Sequence, residues 1–183
     1  MASPFLPTAQ PKTALAPPSG KDWLHEIKFD GWRVQLHGSG AGVRLYSRNG
    51  IDLTARFKSL ARELACVAAR DCIIDGELVA LDADGRCNFE ALHRRKRGAV
   101  LGIWAFDLLH LNGADFRHQP LIARRVRLQR LVAQSQITSL RYSETFDDPL
   151  RLLKAAEEMG LEGIVSKRKA APYIATERSG GSR

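Results

Sequence analysis

The most apolar stretch of the chain, AVLGIWAFDLLHLNG at residues 99–113, constrains the fold more than any other. It falls short of the roughly 20 apolar residues that a bilayer crossing takes. It closes on Asn112-Gly113, a turn signal. It therefore reads as a central strand leading into a turn, and the rest of the chain must supply its neighbours.

Those neighbours are visible. DWLHEIKF (22–29) alternates like a half-buried strand, with Trp23, His25, Ile27 and Phe29 on one face and Leu24, Glu26, Lys28 and Asp30 on the other. RVQLH (33–37) and GVRLYSRNG (42–50) follow as strands, the second closed by Asn49-Gly50. Residues 54–69 carry Phe57, Leu60, Leu64 and Val67 at helical spacing. Residues 72–89 read as a strand, a turn at Asp82–Gly85 and a returning strand, and FEALHRR as a short helix. A helix follows Pro120, then a short strand near LRYSETF (140–146). The next helix is capped by Asp147 or Asp148, with Pro149 in its first turn and Gly160 at its end. EGIVSKR (162–168) is a final strand. Hairpins with helices interspersed irregularly predict an α+β fold with largely antiparallel sheets.

With 183 residues the chain can build one well-cored domain. Residues 1–20 hold five of the eight prolines and read as an extended leader, leaving 21–183 as the domain. The leader lacks the basic start and apolar core of a signal peptide. Cys66, Cys72 and Cys87 form no CxxC pair, which suits buried thiols in a reducing cytoplasm. The five histidines show no metal-ligand spacing. A formal charge of +8 favours a polyanionic partner, nucleic acid first. The basic runs at 93–97 and 124–130 concentrate that charge. The second lies in a helix with Leu121, Val126, Leu128, Leu131 and Val132 available for burial, so its arginines either solvate a helix face or contact phosphate.

Lys28-Phe29-Asp30-Gly31, followed by Arg33, is the pattern that carries chemistry. Taken alone, Lys28 reads better as a strand lysine paired with Glu26 or Asp30. Four further segments follow in order: SRNG, DGELV, AFDLL and EGIVSKR. Together the five resemble the successive motifs of the covalent nucleotidyltransferases, which include ATP-dependent DNA ligases, RNA ligases and mRNA capping enzymes. The wording DWLHEIKFDGWRVQLH with LEGIVSKR is most similar to the ligase module of bacterial end-joining ligases of the ligase D type. The resemblance covers residues from about 20 to 173.

The resemblance implies two largely antiparallel sheets flanked by helices, in an ATP-grasp-like adenylation domain. Lys28 would attack the α-phosphate of ATP and carry AMP as a covalent adduct, a role that requires the ammonium to lose its proton first. Glu26 would accept from the adenine amino group, or else serve as a charge partner of Lys28. Arg33 and Arg48 would contact sugar or phosphates, or form ordinary salt bridges. Glu77 would hold the ribose hydroxyls or a metal, with Asp75 on the same strand face. Phe106 would stack on adenine, or be plain sheet core. Glu162 would place Mg2+, with Mn2+ as the alternative ion, and Lys167 would reach the phosphates. Asp30 and Gly31 complete the lysine motif. The implied partner is nicked or broken duplex DNA, with other end-joining repair proteins beside it. The implied setting is a monomer at the nucleoid of a bacterial cytoplasm, away from any membrane.

One departure stands out. Family members follow the EGIVSKR strand with a tyrosine-containing loop, an arginine-serine pair and a Lys-x-Lys motif. This chain offers Tyr173 and Arg178-Ser179, then ends without the lysine pair. That implies impaired adenylation. Two alternatives stay open: a non-catalytic relic that binds nucleotide or DNA ends, and an RNA ligase or capping-type enzyme.

Overall fold

The computed structural model describes residues 5–9, 13–69, 71–82, 84–94 and 99–174. Its larger sheet runs in the order β3 (Gly42–Ser47), β2 (Trp32–Ser39), β4 (Cys72–Leu81), β5 (Val100–Leu111) and β6 (Ala114–Asp115). These neighbours are all antiparallel, while β7 (Leu140–Tyr142) lies parallel against β5. The apolar run at 99–113 is thus an internal strand, as its composition predicts. β1 (Trp23–Ile27) and β8 (Ile164–Arg168) pair antiparallel in a second, two-stranded sheet.

Alternation along β2 sorts the larger sheet into two faces. Val34 and Leu36 enter the apolar core with Leu45, Ile74, Leu78 and Leu108, all fully buried. Arg33, Gln35 and His37 point the other way. α1 (Lys58–Glu63) packs with β3, and α2 (Phe89–Arg94) lies on β4. α3 (Leu121–Ser135) packs on β5 and β7, and α4 (Pro149–Glu158) on β1 and β8. Asp148 caps α4, its carboxylate accepting from the Leu150 and Arg151 N–H groups at 3.1 and 3.0 Å. Gly160 ends the turn with φ 66°.

Several local expectations are corrected. β1 stops at Ile27, and Leu24, His25 and Glu26 are all buried, so both of its faces are covered. The helix expected over 54–69 forms only at 58–63 and tightens to a 3-10 turn at 64–69. Even so, Phe57, Leu60, Leu64 and Val67 are all buried. No strand returns after Gly85: a single bridge joins Leu81 to Cys87 before α2 begins. All three cysteines are free, with Cys66 exposed and only Cys72 buried. In α3, Leu121, Leu128 and Leu131 are buried as expected, but Val126 is 43% exposed while Arg124 and Arg125 are each 1% exposed. Residues 95–97 of the first basic run and Arg178-Ser179 lie outside the described residues. Among the described residues no helix is long and apolar enough to cross a membrane.

Candidate active site

A cavity of about 970 Å3 opens between the two sheets. The register of β1 on β8 brings its central pair together. Ile27 opposes Ile164 at the end of the ladder, so Lys28 and Glu162 leave the sheet from the same edge. The Lys28 N–H donates to the Gly163 carbonyl at 2.9 Å, and the Lys28 ammonium pairs with the Glu162 carboxylate. Both side chains are about two-fifths exposed, at 44% and 43%. Gly31 allows this turn to lie close on β4, because a Cβ there would fall 2.3 Å from the Leu78 carbonyl oxygen.

Glu26, two residues earlier, is 2% exposed. Its carboxylate accepts from Arg125 and from Lys167 Nζ, the latter at 2.9 Å. Arg125 also donates to the Phe106 carbonyl at 2.8 Å, to the Ser143 carbonyl and to the Tyr142 hydroxyl at 3.1 Å. Beside it, Arg124 forks onto Asp107 with bonds of 2.7 and 2.9 Å. A buried carboxylate is costly unless paired and hydrogen-bonded, and these two arginines meet that demand. Of the basic run at 124–130, Arg124 and Arg125 are therefore internal struts, while Arg127 is partly exposed and Arg130 exposed.

On the polar face of the larger sheet, Arg33 opposes Glu77 and Gln35 opposes Asp75. Asp75 is fully buried and accepts from Arg33 Nε (3.1 Å), Arg33 Nη2 (2.7 Å) and the Tyr173 hydroxyl (2.8 Å). Burial works against the Arg33 charge, but Asp75 more than offsets it and holds the guanidinium firmly protonated. Burial likewise lifts the Tyr173 hydroxyl well above the ordinary range, and the Asp75 charge adds to the effect. The partly buried Glu77 carboxylate accepts no hydrogen bond among the described residues. Burial pushes its carboxyl up to about 8; Arg33 opposes that shift, while Asp75, Glu162 and Asp30 add to it.

A bulge explains Phe106. Ala105 pairs with Gly76 and Asp107 with Asp75, so Phe106 is the extra residue on β5 and escapes the ladder. Its ring lines the cavity with Lys167 Nζ 4.2 Å and Arg33 Cζ 5.3 Å from the centroid. The alternative of plain sheet core is set aside by this placement.

Of the residues singled out from the sequence, all but Asp30 and Asp75 line the cavity. Asp30 is exposed on the turn, and Asp75 sits behind Arg33. Arg48 stands exposed, its backbone N–H on the Arg33 carbonyl at 3.1 Å. Lys167 lies on Glu26 and Phe106. The sequence reading missed that Arg125, Arg124 and Asp107 pair as buried neighbours of the site. The signal was present: Arg124 and Arg125 fall three and four residues after Leu121 and before Leu128, on the stripe that faces inward.

Known proteins bear on this arrangement directly. The chain is 39% identical over 161 residues to the multifunctional non-homologous end joining protein LigD of Pseudomonas aeruginosa, across 86% of this chain and 19% of that protein. It is 32% identical over 163 residues to a DNA ligase of Pyrobaculum arsenaticum, across 81% of this chain and 28% of that protein. The chain thus spans well under a third of the length of these curated relatives. Among solved structures, the ligase domain of M. tuberculosis LigD superposes with TM-score 0.75 at 31% identity, over 88% of this chain and 56% of that one. A mycobacterial DNA ligase D complexed with ATP and MES gives TM-score 0.74 at 29% identity, over 87% and 55%. The model of the ATP dependent DNA ligase domain matches residues 4–181, and with the paired sheets and the Lys28 cavity this places the chain in the ATP-dependent DNA ligase domain family.

Proposed function

We propose that this chain is the adenylation unit of an ATP-dependent DNA ligase acting on nicked or broken duplex DNA in bacterial end-joining repair. The single observation that carries the reading is Lys28 beside Glu162 at the edge of a cavity walled by Glu26, Phe106 and Lys167. Phe106, released from its ladder and flanked by cations, offers a face for adenine. Glu26 has lone pairs beyond those used by Arg125 and Lys167 with which to accept from the adenine amino group. Arg33 and Arg48 supply donors for sugar and phosphate oxygens.

The chemistry assigned to Lys28 begins with loss of its proton. The Glu162 carboxylate, already its hydrogen-bond partner, is placed to take it. The free amine then attacks the α-phosphorus of ATP: a P–N bond forms, the bond to the bridging oxygen breaks, and pyrophosphate leaves. AMP next passes to a DNA 5′-phosphate, and a 3′-hydroxyl displaces it to seal the strand. Lys167 and Arg33 offset charge on the transferring group.

The donor set also fits Mg2+, which is content with one or two carboxylates and several waters. No trio of acidic, histidine or cysteine side chains is gathered for a metal among the described residues, so a protein-only cage is not what the site offers. Glu162 and Glu77 would hold the ion, and the partly buried Glu77 carboxylate, which accepts no hydrogen bond among the described residues, is a hard oxygen donor facing the cavity. When bound, the ion would neutralise phosphate charge.

Incubation with [α-32P]ATP and Mg2+, comparing wild type with Lys28→Ala, tests the reading. Label that resists denaturation in the wild type and is lost in Lys28→Ala is expected. Equal labelling of both would sink it.

A further inference from the structure

The segment Phe5–Ala9 has no regular secondary structure, yet it lies along the polar face of β2. The Leu6 N–H donates to Gln35 Oε1 at 3.2 Å, and Gln35 Nε2 donates back to the Leu6 carbonyl at 2.7 Å. Phe5 lies against Tyr46 with ring centroids 6.2 Å apart and covers Gly50. Thr8 is only 4% exposed. The segment then enters the cavity wall at Ala9. There Arg33 Nη1 donates to the Ala9 carbonyl. The Ala9 N–H donates to the Tyr173 hydroxyl at 3.4 Å, and that hydroxyl donates to Asp75 at 2.8 Å. Arg33 completes the circuit with its fork on Asp75. Four residues from four distant stretches of chain form one closed ring of hydrogen bonds.

We propose that this ring is the positioning device for Arg33, which makes the segment Phe5–Ala9 a working wall of the nucleotide site. The proposal rests on the adenine-nucleotide reading given above and adds to it which parts of the chain set nucleotide affinity. A guanidinium has five N–H donors. The ring engages Nε, one hydrogen of Nη1 and one of Nη2, and leaves two for sugar or phosphate oxygens. Held at three points, the side chain gives up little further freedom when a nucleotide binds, so affinity benefits from preorganisation. Without the Ala9 and Tyr173 contacts, Asp75 alone orients the fork, and nothing ties Arg33 to the leader. Ala9 and Tyr173 act through Arg33 and are positioning residues.

Three variants test this: Ala9→Pro, which deletes the N–H and keeps the carbonyl; Tyr173→Phe, which deletes the hydroxyl; and the double variant. AMP binding by calorimetry, KM and kcat for self-labelling with ATP, and the Arg33 Nε–H signal by NMR are the readouts. Each single variant is expected to weaken AMP binding about 5-fold, the worth of one ordinary hydrogen bond. The loss should fall on KM, with kcat moving less than twofold. The double variant should lose no more than the worse single one, because each opens the same ring. The Arg33 Nε–H should exchange slowly in the wild type and quickly in every variant. Additive losses, or an Arg33 signal indifferent to Tyr173→Phe while AMP still binds, overturn the ring alone. A wild type that binds no adenine nucleotide while its Arg33 signal stays protected overturns the nucleotide reading, and the proposal with it.

Discussion

Glu26 and Lys28 are two residues apart in sequence and live in opposite electrostatic worlds. Glu26 is 2% exposed and gripped by Arg125 and Lys167. Lys28 and Glu162 have each other, half in solvent, with the partly buried Glu77 carboxylate nearby and accepting no hydrogen bond among the described residues. The difference teaches what each cluster is for. Buried charge must be saturated by partners or it costs several kcal/mol, so the Glu26 cluster is architecture that also presents an acceptor to the cavity. Charge left half-exposed and under-coordinated costs little to keep and remains available to a ligand.

The sharpest way to break this comparison is Arg125→Ala. Removing one partner of a buried pair should cost about 3–5 kcal/mol, read as a lower midpoint in urea. A loss below 1 kcal/mol would mean that the deep cluster holds nothing together. Glu77→Gln probes the under-coordinated side with the opposite sign. The Glu77 carboxyl is raised from 4.5 to about 8, so between those values the folded state keeps a proton that the unfolded state has released. Wild-type stability should therefore fall as pH rises through that window and level off above it. Glu77→Gln removes that slope. It should match the wild type at pH 4 and exceed it by about 2–4 kcal/mol at pH 9. Equal pH profiles for the two proteins would show that Glu77 is not held without compensation. The smallest effect belongs to Glu162→Gln, which should change stability by less than about 1 kcal/mol, since surface pairs contribute little. If it instead destabilised as strongly as Arg125→Ala, the contrast between the two clusters would disappear.

Much of this was legible beforehand. The strands at 23–27, 32–39 and 100–111 follow from alternation and apolar run length, and the cap of α4 follows from Asp148 before Pro149. Lys28, Glu77, Phe106 and Glu162 stand in ordered motifs that resemble those of a known family, and all four line one cavity. The burial of Arg124 and Arg125 was not legible. A run of arginines looks like a solvated face until acids from other strands are known to be opposite. The aim of Phe106 was not legible either, since a bulge exists only relative to a neighbouring strand. Nor were the particular contacts of residues 5–9, whose backbone groups carry no type-specific signal.

By itself, then, the sequence determined most of the strand segments, because alternation is a local property, and through the resemblance of its ordered motifs it supplied the candidate site residues. Only the tertiary structure decided who partners whom. Arg125 meets Glu26 across 99 residues of chain, and Ala9 meets Tyr173 across 164. Such pairings are set by sheet register and packing, and no local pattern encodes them.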